Sequence, residues 1–387
     1  MKFKNLLVIT NNYPNEDNSY VGDIFVKEQI NYLKKHFETV NVISPVAYGI
    51  ERLRKTTYKN YRYDNVNVYF PKYLNIPFFY NKFRPLWNRL ETNAILRFLK
   101  SKRISFDIIH AHFTWPSGAV AVELKKHFKV PVVITEHTST TFKRAIDEKD
   151  ETFINTWESC DAIIRVRSTD ISSFEDVGIS KSKIFHVPNG FDSSKFFQDS
   201  TSNCRKKLNL PLDKKIILNV GNLYGEVKGH RYLIEAIYEI VKHRNDVLCI
   251  IVGKGKLENS IQEQIYNLKL ENFVKLVGGK SYDEVSLWMN ACNVFVMPSL
   301  RESFGVVQVE ALACGKPVVA TFNGGSESII VSDEYGLLAE PGDSQGLADK
   351  IELALEKEWD EEKIKKYVEQ YQWEYITGKT LKIYNYI

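Results

Sequence analysis

Two carboxylates eight residues apart, Glu302 and Glu310, bracket the start of a helical pattern in RESFGVVQVEALACGKPVVAT (301–321). The apolar run VFVMP (294–298) leads into them. From about Phe304 the pattern is helical and stops at Gly315, with Pro317 just beyond. Ser303 has the chemistry of an N-cap, and Gly305 lets backbone come close to a ligand. A helix that begins at the carboxyl end of a parallel strand offers free N–H groups and the positive end of its dipole, which suits a phosphate. Eight helical residues span on the order of 10 Å, so a diphosphate with hydroxyl-bearing groups at both ends could meet one carboxylate at each end. The plainer alternative is a pair of surface charges on a strand–helix unit, and spacing alone favours it.

Other segments add candidates. Lys228, in VGNLYGEVKGH (220–230), follows a strand and can set a positive charge against a diphosphate, although a lone loop lysine is ordinarily just solvated. In IVGKGKLEN (251–259), Gly253 and Gly255 are the first two glycines of a dinucleotide fingerprint, but Glu258 replaces the third, so this is poor evidence for NAD. His110 and His112 in HAHFTWPSG (110–118) and His137 in TEHTSTTF (135–142) sit at strand ends. Singly each would pass for a packed core residue; three together suggest a site. Gly22, in NEDNSYVGDIF, precedes a helix near Phe25, again a setting for an anion. There is no D-x-D, so no carboxylate–metal clamp of that kind is indicated. The five cysteines are scattered without CxxC spacing, and Cys249, Cys292 and Cys314 lie in apolar runs. That argues against a disulfide framework or structural zinc.

The elements that must position these residues alternate. Strands are expected at 6–10, 40–45, 106–112, 130–137, 160–167 and 184–188, with helices between them, notably 25–36 and 118–127. PNGFD (188–192) and the polar stretch to Asn203 interrupt the rhythm. It restarts with strands at 215–221, 246–253, 273–278, 294–298 and 317–321 and helices at 230–243 and 257–268. Such alternation means βαβ units and parallel sheets. A chain of 387 residues exceeds what one core usually supports. We therefore expect two α/β domains, 1–188 and 189–367, with an aromatic-rich C-terminal helix (368–387) completing the first. The apolar run at the start is too short for a signal peptide or a membrane span, and no stretch reaches roughly 18 apolar residues.

Charge is uneven. Residues 49–103 hold 13 Lys or Arg against 3 acids, a local +10, while the remainder carries 39 basic against 45 acidic residues. The same stretch contains 12 aromatics, among them Tyr73, Phe78, Phe79, Tyr80, Phe83 and Trp87. Basic and aromatic residues so interleaved suit an anionic lipid surface; nucleic acid is a second option, and a solvated face over packed aromatics a third.

ESFGVVQVEALACGKPVVAT, followed by Gly324 and Gly325, resembles the E-x7-E signature of the retaining glycosyltransferase family 4. The resemblance implies a GT-B fold, two Rossmann-like domains with a cleft between them, and transfer of a sugar from a nucleotide-sugar, most plausibly a UDP-sugar. It assigns Glu302 to the donor sugar, Glu310 to the ribose hydroxyls, and the backbone of Ser303, Phe304, Gly305 and Val306 to sugar and phosphate. The 220–230 segment resembles the family's VGRL…KG motif. Lys228 matches its lysine, and Asn222 stands where an arginine is common, so a neutral amide replaces a phosphate-facing cation. IVGKG resembles the VGxGP loop near the nucleotide, which places Gly253 there. TEH resembles the loop whose histidine, here His137, contacts the donor sugar. The segment around Gly22 resembles the first-domain glycine loop near the phosphate, and PNGFD the linker. No metal or other cofactor is implied, and nucleic acid is not. The acceptor falls to the first domain and is expected to be a glycan or lipid-linked saccharide of a cell-envelope polysaccharide, at the cytoplasmic face of a membrane. A sugar-nucleotide epimerase and a non-catalytic binding module are the rival readings; a pyridoxal-type lysine context for a phosphorylase is not found.

Overall fold

The structure, a computed structural model, describes residues 2–17, 20, 22–54, 56–75 and 79–387. It divides into two compact α/β units, residues 1–189 with 373–387, and 190–372. The strands at the centre of each sheet are continuous apolar runs because helices cover both faces. Leu6 to Ile9, for instance, has no exposed surface.

Among the described residues the first unit holds an eight-stranded sheet. Its strands are β1 (Asn5–Ile9), β2 (Thr39–Ile43), β3 (Tyr61–Tyr63), β4 (Val66–Tyr69), β5 (Ile108–His112), β6 (Val132–Glu136), β7 (Ala162–Arg165) and β8 (Ile184–His186). The spatial order is β8-β7-β6-β5-β1-β2-β4-β3, parallel except for the β3–β4 pair. The sequence reading expected six of these strands. It missed β3 and β4, which lie inside the basic stretch, where the dense charge hides the short alternation of VNVY. A 19-residue helix, Arg84–Lys102, fills the C-terminal third of that stretch. Helix Trp373–Tyr386 lies against helix Ile24–Leu33, and its Trp373, Ile376, Ile383 and Tyr384 join the core cluster that includes Leu6, Val26 and Val40.

The second unit has six parallel strands: β9 (Lys215–Val220), β10 (Val247–Val252), β11 (Val274–Leu276), β12 (Val294–Met297), β13 (Val318–Thr321) and β14 (Gly336–Ala339), in the order β11-β10-β9-β12-β13-β14. β14, an edge strand of only four residues, was not anticipated. The C-terminal stretch also differs from expectation. Helix Glu361–Val368 packs on helix Val306–Ala313 of the second unit, and Tyr371 sets its ring 5.7 Å from that of Phe304. Residues 368–372 therefore stay with the second unit, and the chain returns to the first only at Trp373. The first crossing falls after Asn189 rather than after 188.

Candidate active site

In the second unit, the loop leaving β12 is held from two sides. The Leu300 N–H donates to the Val227 carbonyl at 2.8 Å, and the Glu302 N–H to the Asn323 carbonyl at 2.9 Å. Gly229, at φ +70°, lies so close to the Pro298 carbonyl that any Cβ would collide with it. These contacts bring Lys228 to Glu302: Nζ donates to Oε1 at 2.7 Å, and the Ser299 hydroxyl donates to the same oxygen at 2.9 Å. Both charged groups are partly exposed, with 28% and 12% of the side chain accessible, so the pair is reachable by a ligand.

Helix Val306–Ala313 starts one turn beyond. Its N-cap is Gly305 at φ +83°, with no side-chain cap. Ser303, expected as the N-cap, is therefore not one; a left-handed glycine opens the helix instead and leaves its first N–H groups uncapped by a side chain. Gly325 presses against the backbone of Phe304, where a Cβ would stand 2.9 Å from its nitrogen. Asn323 secures that turn, its Oδ1 accepting from Gly325 N at 3.0 Å and Ser326 N at 2.9 Å. Glu327 accepts from Gly324 N at 2.9 Å. Glu310 is buried little more than one turn into the helix. A Cβ on Gly253 would collide with the Gly221 carbonyl, which keeps the two glycine turns in contact. Asn222 is exposed, its Oδ1 accepting from the Tyr224 N–H at 3.4 Å.

Sequence reasoning missed Ser299, Asn323, Glu327 and His230. The run Asn323 to Ser326, Asn-Gly-Gly-Ser, was a legible turn signal; the other three residues carried no such signal. His230 is buried beside Lys228, with neither ring nitrogen hydrogen-bonded within the described residues. Burial, then the Lys228 charge, lowers its pKa to about 4.

In the first unit, His112 Nδ1 and His137 Nε2 are 3.0 Å apart. One must carry the shared proton, and both imidazoles are kept neutral near pH 7 because burial pushes their pKa well below the ordinary value. His137 packs against the rings of both Phe25 (4.8 Å) and Phe113 (5.0 Å). His110 stacks on His112, with ring centroids 4.5 Å apart, but both its ring nitrogens are engaged, by Thr135 Oγ1 at 2.7 Å and the Tyr384 hydroxyl at 2.6 Å, so it packs behind the pair and leaves no nitrogen for a ligand. The Glu136 carboxylate steadies the loop by accepting from Thr114 N at 3.0 Å and Thr138 N at 2.6 Å. Gly22, at φ +51°, lies on the Asn12 carbonyl, where a Cβ would collide; Asp23 N donates to that same carbonyl at 2.8 Å.

The basic–aromatic stretch is split. Tyr58, Phe70, Tyr73 and Trp87 are buried, whereas Leu53, Leu74, Phe83 and Leu86 are exposed. Phe78 lies outside the described residues. Among the described residues no helix is long and apolar enough to cross a membrane, and no group of three His, Cys, Asp or Glu side chains could hold a metal. All five cysteines are free and buried.

Residues 24–195 match the family described as Glycosyltransferase Family 4, and residues 200–371 that described as Glycosyl transferases group 1. The chain belongs to glycosyltransferase family 4 and is a glycosyltransferase of the GT-B fold. It is 29% identical to an uncharacterised glycosyltransferase of Methanocaldococcus jannaschii, over 85% of this chain and 87% of that one. To a putative teichuronic acid biosynthesis glycosyltransferase of Bacillus subtilis it is 27% identical, over 97% and 96%. The solved structure of Anabaena HepE in complex with UDP-glucose superposes with a TM-score of 0.76 at 21% identity, covering 100% of both chains.

Proposed function

We propose that the protein moves a sugar, with retention, from a UDP-sugar to a glycan or lipid-linked saccharide in the synthesis of a cell-envelope polysaccharide. The observation that carries this reading is the Lys228–Glu302 pair beside the uncapped start of helix Val306–Ala313. A cation, a carboxylate and free N–H groups converge where a diphosphate and sugar hydroxyls can be received together. Glu302 takes the donor sugar and Glu310 the ribose. Lys228, Asn222 and the N–H groups of Gly305 and Val306 take the phosphates, without a metal. Gly253 borders the nucleotide, Gly22 lets backbone approach the phosphate, and His137 is the first unit's contact for the transferred sugar. In the reaction the bond from the anomeric carbon to the phosphate oxygen breaks. The acceptor oxygen bonds to the same face of that carbon, and its proton passes to the departing phosphate. The Bacillus relative's name and the UDP-glucose complex of the Anabaena protein support polymer synthesis and a UDP donor.

The test is a panel of nucleotide-sugars scored for binding and for UDP release with EDTA present. Binding and turnover of one UDP-sugar in EDTA supports the reading. An epimerised product without acceptor, or binding with no turnover for any donor and acceptor offered, would sink it. The exposed apolar side chains and excess positive charge of residues 49–103 support a further part of this reading, residence at the inner face of an anionic membrane. Cosedimentation with phosphatidylglycerol vesicles at low salt, lost at high salt, is the expected result; protein left in the supernatant at low salt removes the membrane from the proposal.

A further inference from the structure

A cavity of about 560 Å³ in the first unit is lined by residues that follow the carboxyl ends of β1, β2, β5 and β6. In the sheet, β1 lies between β2 and β5, so the chain leaves in opposite directions on either side of it. That is the switch point at which open α/β sheets receive ligands. One wall is aromatic and continuous. Tyr80 meets Trp87 edge-on at 5.1 Å and Trp115 at 5.9 Å, and Tyr73 meets Trp87 at 6.0 Å.

The polar part of the lining is uncharged. Asn11, Ser117 and Thr138 belong to it, and among the described lining residues there is no Asp, Glu, Lys, Arg or His. One buried carboxylate ties the aromatic and polar parts together. Glu91 Oε1 accepts from Asn11 Nδ2 at 2.8 Å, and Oε2 from the Trp87 indole N–H at 2.8 Å. The Ser117 hydroxyl donates to Asn11 Oδ1 at 2.5 Å. The amide is thus fixed in orientation before any ligand arrives, which marks a preformed site.

We infer that this cavity receives the terminal unit of the acceptor, and that this unit is an uncharged pyranose. The inference rests on the transferase reading above. A pyranose has one apolar C–H face and a rim of hydroxyls. The aromatic wall answers the first, and the amides and hydroxyls at its edge answer the second. A phosphate or carboxylate in the same place would lose its hydration without gaining a counter-charge from the described lining, a large cost. His137 follows the same strand end as Thr138, and its ring lies 5.0 Å from that of Phe113, another lining residue. The cavity therefore adjoins the histidine assigned to the transferred sugar.

The experiment is saturation-transfer NMR on the full chain with saturating UDP. The probes are the methyl glycosides of glucose, galactose, mannose and N-acetylglucosamine, beside glucose 6-phosphate and glucuronic acid, with UDP affinity measured calorimetrically on the same samples. At least one neutral glycoside is expected to bind, with the strongest transfer to its C–H face, and the two anionic sugars to bind more weakly. Tyr80→Ala, at a position 37% exposed, is expected to weaken that binding by roughly fivefold and leave UDP affinity unchanged. Tyr48→Ala, on a lining residue 63% exposed, serves as a second variant whose folding is not at stake. The inference falls if the anionic sugars bind as well as the neutral ones, if neither variant changes glycoside binding, or if UDP binds and no glycoside does. Failure of UDP itself to bind overturns the UDP-donor reading on which this inference rests and takes the inference with it.

Discussion

In the second unit, Gly229, Gly253 and Gly325 each lie against a neighbouring backbone that leaves no comfortable room for a Cβ. Polypeptide, more than side chain, shapes the ground around Lys228 and Glu302. In the first unit the cavity is walled instead by side chains gathered from residues 11, 48, 80, 87, 115 and 138. One region has its geometry set by close backbone approach, which only a few residue types tolerate. The other is set by packing, which many residue combinations can satisfy. The first suits a ligand part that is always the same, a diphosphate. The second suits a part that differs from one transferase to the next.

The sharpest way to break this comparison is to remove the cation. Lys228→Ala strips the diphosphate of its positive partner and leaves the Glu302 carboxylate, only 12% exposed, facing the anion. The expected loss is about 10²–10³ in kcat, or about 3–4 kcal/mol of leaving-group stabilisation, read as UDP release under saturating donor and acceptor. Glycoside binding in the first unit should not move. A loss of under about fivefold would show that backbone N–H groups alone carry the phosphate charge.

That contrast also decides what was legible beforehand. ESFGVVQVEALACGKP is contiguous, so the strand, the loop, the helix and both carboxylates could be read from one stretch. Even there the cap was misread, because Ser303 offers the right chemistry and only the left-handed φ of Gly305 shows where the helix begins. The cavity was illegible for the opposite reason. Asn11, Trp87 and Ser117 are far apart in the chain, and their link is the Glu91 carboxylate, one of three acids in a basic stretch. Nothing in its neighbours signals burial. Strands β3 and β4 were hidden by the same charge, and the return to the first unit, expected at about 368 and found at Trp373, was set early because the aromatics of residues 361–387 serve two different cores.

A second test concerns the packed region. Burial raises the Glu91 pKa from 4.5 to about 7, against the opposing pull of hydrogen bonds from Asn11, Trp87 and Tyr73. The folded protein then holds a proton at Glu91 between those two pH values that the unfolded chain has released. Stability attributable to this group is present below pH ~4.5 and declines as the pH rises through about 7, by at most ~3 kcal/mol. Urea midpoints followed from pH 5 to 7.5 should show this slope in the parent and a flatter one in Glu91→Gln. Parallel curves would mean that Glu91 ionises alike in both states. Lys228→Ala, whose partners lie in the other unit, should keep the parent's slope.

The smallest effect sharpens the donor side. Asn222 is exposed and stands where the resemblance to the VGRL…KG motif implies an arginine. Asn222→Arg restores a cation at the rim of the phosphate region, not at its floor, and an exposed charge of this kind contributes only ~0.2–1 kcal/mol. UDP should bind up to about fivefold more tightly at low salt. The gain should vanish near 1 M salt, where the screening length shrinks to about 3 Å. A gain that survives high salt would mean the guanidinium makes a desolvated, bidentate contact, and that the phosphate lies nearer to residue 222 than to Lys228. No gain even at low salt would leave Lys228 and the start of helix Val306–Ala313 as the whole of the phosphate site. The donor side would then owe one cation to its sequence and the rest to its backbone.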